Sequence, residues 1–458
     1  MNRNIKLRLT RQQYAVLVSD FKSVKNSISI ATCGVGFNIT NNTQNISLSL
    51  CKSQNSNFSD SKIQNNENSQ FLQFIQNFIN NNLKKNQSII IFVDDKSIFN
   101  NDSLIRNILS IQYNCEDNLI IGSIGFIDSQ DRLHAKVLFS DYTIQNIDLI
   151  SKVGGDLEFY FNDELSTEIE DYKSRTKQAY GLYTTNLLSK LTIGIVGVSG
   201  TGSPTIEMLH RLGVGKLVIC DSDIVEHVNL NRILYSTTED VEKKRFKVEV
   251  MTDAIRNCGL NTIIVPLTSN CISEPVLREL TQCDVIFGCV DSIQARDFLN
   301  RISIFYTIPY FDLGVKLVAD GTGGISHVCG SVHYLKPDGP SLLTRGVFNL
   351  EALSSESMRN SNPIEYENQV KEKYIIGVNV ESPAVISINM LISSLGVNDF
   401  LARVHPHRNH SNEDISVITA DLNEVRLIAE NNFPVCKVYA KYLGRGNCIP
   451  LLNMPELE

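Results

Sequence analysis

The sequence predicts an α/β protein in which a doubly wound, largely parallel sheet is preceded by a smaller α+β domain. Two observations predict it. From residue 190 onward, short apolar runs alternate with helical patterns, the mark of parallel strands joined by crossover helices. Before residue 165, strand-like runs are instead separated by Asn-, Ser- and Gln-rich stretches, with a single helical pattern among them. At 458 residues the chain has room for two or three cores. We place the domains at 1–165 and 166–458.

In the first domain the strand-like runs are NSISIATCGVGF, NISLSLC, SIIIFVDD, NLIIGSIGFI and HAKVLFS. Phe71, Phe74, Ile75, Phe78 and Ile79 share one face at helical spacing and predict an amphipathic helix over 70–84. The polar tract at 53–70 reads as an exposed loop. A charged connector at 161–181 opens a helix. Strands then follow at Ile193–Val198, Leu217–Cys220, Ile263–Pro266, Val285–Val290 and Pro309–Val315. A net charge of −8 gives no basic footprint, so neither nucleic acid nor an anionic membrane surface is expected as a partner. Eleven cysteines, an odd number at irregular spacing, suit reduced thiols in the cytoplasm better than a disulfide framework. No apolar run reaches the length of a membrane span, and the N-terminus has no apolar signal region.

The chemistry concentrates after LTIGIVGVSGTGSP at 191–204. There an apolar strand feeds a turn with Gly197, Gly200 and Gly202, and a helical pattern follows. Glycines make such a turn tight and bring its backbone to phosphates, and an acid about twenty residues on meets a ribose. Asp221 stands there, and so far a nicotinamide dehydrogenase and an adenylating enzyme fit equally. The stretch DSDIVEHVNLNR adds Asp223, Asn229 and Arg232, and Lys247 follows on a helical pattern. Hydride transfer has no need of these cations, whereas a triphosphate losing pyrophosphate does. Asp291 ends a further apolar strand, where a carboxylate can hold Mg²⁺ against phosphate oxygens. The plainer alternative makes Arg232 and Lys247 solvated charges and Asp291 a helix cap.

Residues 171–346 resemble the ThiF/MoeB/HesA superfamily, the Rossmann-like adenylation fold of ubiquitin-activating enzymes, through GVSGTGS, DSDIVEHVNLNR, KVEVM and DSIQAR. The resemblance implies ATP and Mg²⁺ as ligands. It places Asp221 on the ribose, with Asp223 and Asn229 beside it, Arg175, Arg232 and Lys247 on the phosphates, and Asp291 on the metal. It also implies a homodimer in which Arg175 reaches the partner's ATP. The substrate would be a ubiquitin-like protein with a C-terminal glycine, activated for a conjugating enzyme or another acceptor, in a bacterial conjugation operon of antiviral defence. A peptide-modifying adenylyltransferase of the microcin type, a tRNA-modifying relative, a non-catalytic scaffold and a nicotinamide oxidoreductase are the rivals.

Departures from the pattern matter as much. Ser199 precedes Gly200 where the family has adjacent glycines, which implies altered rather than absent binding. Many relatives bind zinc on two C-x-x-C pairs. Here Ser341, Thr344 and Phe433 fill three of those positions and only Cys436 remains, so no zinc is expected. The histidines of HPHRNH at 405–410 read as a loop rather than a metal site. The family's crossover loop, about 341–376, carries no cysteine, so we expect the adenylate to form without one. Among Cys329, Cys436 and Cys448, Cys436 beside Lys437 is the best candidate for a thioester. The first domain loosely resembles a JAB/MPN domain. Phe92, Val93, Asp94 and Asp95 stand where its zinc-binding H-x-H-P belongs, and His134 is the only histidine before residue 200. An inactive JAB-like docking domain and an unrelated α+β binding domain are both compatible with that pattern.

Overall fold

The computed structural model describes residues 2–23, 28–40, 43–56, 69–83, 87–93, 96–110, 120–163, 166, 168–320, 322–364, 366 and 385–457. By its own contacts the chain divides into two units. The first comprises Met1–Glu164 with Ile304–Thr307 and Tyr442–Glu458, and the second comprises Leu165–Ser303 with Ile308–Lys441.

The first unit runs β1 (Asn2–Thr10), α1 (Arg11–Ser23), β2 (Ile28–Thr40), β3 (Thr43–Ser56), α2 (Ser69–Asn82), β4 (Gln87–Val93), α3 (Lys96–Phe99) and α4 (Asp102–Ser110). It continues with β5 (Ile120–Ile127), β6 (Leu133–Phe139), β7 (Ile144–Asn146), β8 (Leu149–Val153) and β9 (Leu157–Phe161). The strands form one mixed sheet in the order β7-β6-β5-β4-β2-β3-β1-β8-β9. β4 shows why QSIIIFV is a strand with no polar face. Ile89, Ile91 and Val93 enter one core, where Ile75 and Phe78 of α2 also lie. Ile90 and Phe92 enter the other with Leu17 of α1. Alternate residues thus serve opposite faces of a covered sheet. The amphipathic helix expected over 70–84 is α2, and the five strand-like runs are β2 to β6. Of the loop expected over 53–70, residues 53–56 end β3 and 69–70 open α2, against the expectation; the stretch between them, like Asp94 and Asp95, lies outside the described residues. The closing segment is tied into this unit by Gly34 N–H donating to Gly444 O at 2.9 Å. No side chain fits at Gly34, because a Cβ there would collide with the backbone of 444–446.

The second unit runs α5 (Ser174–Lys190), β10 (Thr192–Val196), α6 (Gly202–Arg211), β11 (Lys216–Cys220), α7 (Thr238–Glu242), α8 (Lys247–Cys258), β12 (Ile263–Leu267), α9 (Glu274–Leu280), β13 (Val285–Gly288) and α10 (Ile293–Tyr306, whose last three residues group with the first unit). Then come β14 (Tyr310–Ala319), β15 (Ile325–Leu335), α11 (Leu350–Ser361), α12 (Ile386–Val404), β16 (Val417–Asp421) and β17 (Arg426–Glu430). The sheet order is β12-β11-β10-β13-β14-β15-β16-β17, with every pairing from β12 to β14 parallel and the rest antiparallel. The chain winds outward from β10 in one direction and then, from β13, in the other. That reversal opens a crevice at the carboxyl ends of β10 and β13, the place where open α/β sheets bind ligands. Phe287 of β13 stacks on Phe311 of β14 with ring centroids 4.9 Å apart, and Phe400 of α12 stands edge-on to both at 6.0 and 6.1 Å. All three are fully buried. Truncating one such ring costs about 3–5 kcal/mol, so these contacts fix α12 firmly on the sheet. Among the described residues, no helix is long and apolar enough to cross a membrane.

Candidate functional site

The glycine loop sits at the crevice, and two of its glycines are dictated by space. Gly197 has φ +90°, and a Cβ there would run into Cys289 O just past β13. At Gly202 a Cβ would collide with the carbonyl oxygen of Gly197, so the first residue of α6 lies directly on the turn that begins the loop. The loop is held shut by Asp221. Its Oδ2 accepts from Val198 N–H at 2.7 Å and its Oδ1 from Asp223 N–H at 2.9 Å. Burial pushes the Asp221 carboxyl above its ordinary range, while Lys247 and those two backbone donors pull the other way.

Asp223 continues the chain of polar contacts. Lys247 Nζ donates to Asp223 Oδ2 at 2.7 Å, and Lys247 N–H to Asp223 O at 3.0 Å. The lysine side chain is 8 % exposed and the Asp223 side chain 67 %. Lys247 opens α8, and the bridge Ile224–Phe246 clips that helix start to the end of β11. The solvated-charge alternative therefore fails for Lys247, which is buried against a carboxylate. Asp221 has turned inward to backbone amides, so the open carboxylate at this strand end is Asp223.

Asn229 is buried and its Oδ1 accepts from Glu226 N–H at 3.1 Å, which shapes the short 3₁₀ turn His227–Asn229. Arg232 Nη1 donates to Val228 O at 2.6 Å and Asn231 Oδ1 at 3.0 Å. Its Cδ lies 3.2 Å from where a Cβ on Gly200 would stand, which sets the arginine beside the loop. Asp291 is exposed at the end of β13 and, among the described residues, its carboxylate accepts no hydrogen bond. The cap of α10 is Ser292, whose Oγ accepts from Ala295 N–H at 3.2 Å, so the cap alternative for Asp291 falls to its neighbour. Arg175 stands exposed on α5, its guanidinium on Gln178 Oε1 at 2.9 Å, and among the described residues no hydrogen bond joins it to the loop.

The structure adds one element that no local pattern signals. α12, nearly two hundred residues downstream, touches the loop. Ser393 Oγ donates to Thr201 O at 2.7 Å, and the amide of Asn389 fills the space where a side chain on Gly200 would go.

The remaining candidates are structural where they stand. Ser341 and Thr344 bond each other, Ser341 N–H to Thr344 Oγ1 at 2.9 Å and Thr344 N–H to Ser341 Oγ at 3.2 Å. Arg345 lies over the Phe433 ring at 5.6 Å and donates to Ser416 O and Tyr334 O at 3.0 and 2.7 Å. Cys436 is 1 % exposed, so its thiol is not offered to an acyl group in this conformation, and Lys437 beside it does not change that. Cys329 lies on β15, half-buried, and burial raises its thiol. In the 405–410 loop, His405 Nδ1 meets Thr184 Oγ1 at 2.9 Å and Arg408 donates to Asp399 at 2.7 Å. Among the described residues, no three His, Cys, Asp or Glu side chains group as a metal set. Residues 365 and 367–376 of the expected crossover loop lie outside the described residues.

Residues 172–365 match the ThiF family. Over 155 residues the chain is 28 % identical to ubiquitin-like modifier-activating enzyme 5 of Aedes aegypti, covering 32 % of this chain and 37 % of that protein. Over 158 residues it is 35 % identical to the Xenopus laevis protein of the same name, again covering 32 % and 37 %. Over 154 residues it is 30 % identical to the SAMP-activating enzyme E1 of Haloferax volcanii, covering 34 % of this chain and 52 % of that one. The chain thus spans little more than a third of the length of the modifier-activating enzymes it matches. Among solved structures, E. coli MccB with ATP superposes with a TM-score of 0.45 at 16 % identity, over 60 % of this chain and 76 % of that one. PaaA superposes with a TM-score of 0.42 at 17 % identity, over 60 % and 87 %.

Proposed function

We propose that the second unit uses ATP to adenylate the C-terminal carboxylate of a small protein, ubiquitin-like and ending in glycine, with release of pyrophosphate. The observation that carries this reading is the chain Val198–Asp221–Asp223–Lys247, which brings a buried lysine under the glycine loop at the switch point, with exposed Asp291 across the crevice. A dinucleotide needs the loop and one acid; a lysine and an arginine beside them suit a triphosphate. The residues fit the nucleotide. The glycines leave the loop backbone open to phosphates, Asp223 faces outward for ribose hydroxyls, and Lys247 and Arg232 would bind phosphate oxygens. Asp291 would hold Mg²⁺, whose role is to neutralise charge on the phosphates.

The substrate carboxylate oxygen attacks the α-phosphorus and forms the acyl–phosphate bond. The bond from that phosphorus to the bridging oxygen breaks, and pyrophosphate leaves with the electron pair. The carboxylate is already anionic, so the chain supplies positioning and charge neutralisation rather than a base. Burial of Cys436 supports direct passage of the acyl group to a conjugating enzyme or other acceptor. Arg175, exposed and free of the loop, would act on the nucleotide of a second copy in a homodimer. The first unit would serve as an inactive JAB-like docking domain, since Phe92 and Val93 are core residues where metal-binding histidines would be needed.

Titrating the full chain with Mg·ATP and with NAD tests the reading. Mg²⁺ should tighten ATP binding, and Asp291→Asn should remove that Mg²⁺-dependent gain. With the cognate substrate, the same variant should lower ATP–pyrophosphate exchange by about 10²–10³-fold. Tight NAD binding with no ATP binding would falsify adenylation.

A further inference from the structure

We infer that Asn389, on the first turns of α12, is a phosphate-binding residue of the nucleotide site. This rests on the adenylation reading, since it supposes that a nucleotide occupies the glycine loop. Three observations converge on one point of the loop. The Asn389 residue is 5 % exposed, yet among the described residues its side-chain amide has no hydrogen-bond partner. An amide on a nearly buried residue that has no partner among the described residues keeps its donors for a group that arrives later. The space a Cβ on Gly200 would fill is occupied by the Asn389 amide, with Arg232 Cδ 3.2 Å away on the same side of the loop. The amide is therefore set between the loop backbone and the guanidinium stem.

The placement is held from both ends. Ser393, one turn along α12, donates its hydroxyl to Thr201 O at 2.7 Å, while Phe400 locks the far half of the helix onto β13 and β14. α12 also begins beside the loop with no side-chain cap: Val385 occupies the cap position, and the first-turn residues Ile386 and Ser387 are exposed. Among the described residues no side chain caps the start of this nineteen-residue helix, and an uncapped helix start favours an anion nearby. The helix start and Arg232 offer donors only, so the Asn389 amide set between them is placed for phosphate oxygens rather than for the mixed donors and acceptors of adenine. Gly200 has its reason here as well, because any side chain at that position would evict the amide.

The test compares Mg·ATP with adenosine, which lacks phosphates, on the full chain, by calorimetry for the first and ligand-observed NMR for the second. Asn389→Ala should weaken Mg·ATP about ten- to a hundred-fold, the range for a hydrogen bond to a charged group, while adenosine binding stays unchanged. Asn389→Asp, of nearly the same size, should weaken Mg·ATP further by placing a negative charge against the phosphates. Gly200→Ala should reproduce the selective loss by displacing the amide. Equal losses of ATP and adenosine, or an Asn389→Ala variant that binds Mg·ATP as the unchanged protein does, would overturn the inference and leave adenylation standing. If the unchanged protein fails to bind Mg·ATP, the adenylation reading falls and the role of Asn389 falls with it.

Discussion

Two stretches of the second unit carry family motifs, and they treat their polar groups in opposite ways. At the glycine loop, each oxygen of Asp221 takes one backbone N–H, Asp223 shares one oxygen with Lys247 and shows the rest to solvent, and Asp291 bonds nothing among the described residues. At residues 341–344, the serine and threonine answer each other, while Arg345 gives its two Nη groups to the backbone and its face to Phe433, its buried Nε having no partner among the described residues. A carboxylate oxygen accepts up to two hydrogen bonds, so the loop keeps capacity for a ligand, whereas the Ser341–Thr344 pair is closed on itself. Motif residues held half-satisfied leave room for a ligand; positions refilled with a mutually bonded pair, as at Ser341 and Thr344, do not.

The largest change would come from reopening the closed stretch. Replacing Ser341, Thr344 and Phe433 together by cysteine restores four thiols, because Cys436 N–H already reaches Gly339 O at 3.4 Å and brings the two segments together. Elemental analysis should then find about one zinc per chain, held by on the order of 10 kcal/mol, where the unchanged protein holds well under one. A zinc-free triple variant would show that the segments do not converge as a ligand set.

Closing the open site should have the next largest effect. Gly202→Ala drives a methyl group into Gly197 O, so it should abolish detectable Mg·ATP binding and destabilise the unit by about 3 kcal/mol in denaturant titration. Retained binding would show that the loop backbone is not what meets the nucleotide.

A smaller effect tests the closed region by pH. His333 lies beside Asp312 and Arg345, and burial pushes its imidazole down to about 4. The fold keeps it neutral, so its contribution is intact above the ordinary value near 6.5 and is lost as pH falls from there toward 4. The loss amounts to roughly 3 kcal/mol. Unfolding midpoints measured across that window should drop, and His333→Gln should flatten the drop. An unchanged slope in the variant would assign the pH dependence to other groups.

The smallest effect is expected at Cys436. Its alanine variant removes a buried thiol, costs about 1–2 kcal/mol and leaves Mg·ATP binding untouched. If the variant instead abolishes a reducible covalent conjugate, Cys436 is the acyl carrier and direct transfer is wrong.

Much of the adenylation fold was legible because its signals are local. Glycines at 197 and 202 are required by turn geometry, the strands from β10 to β14 are short apolar runs punctuated by helices, and Lys247 and Asp291 fall at element ends that periodicity locates. The mixed first unit was legible as strands and one helix. Its strand order was not, because β1 pairs in parallel with β3 and β8, and no local pattern encodes such non-neighbouring partners.

By itself, then, the sequence determined which residues stand at strand ends and turns, since those depend on backbone conformation and burial over a few neighbouring positions. Only the tertiary structure decided which of them meet. It turned Asp221 inward to backbone amides and left Asp223 facing outward, gave the α10 cap to Ser292 rather than Asp291, buried Cys436, grouped Tyr442–Glu458 with the first unit, and laid Asn389 against Gly200. Each of these outcomes turns on which of several competing polar or apolar groups arrives within contact distance, and that is fixed by packing between segments far apart in the chain rather than by propensity within any one of them.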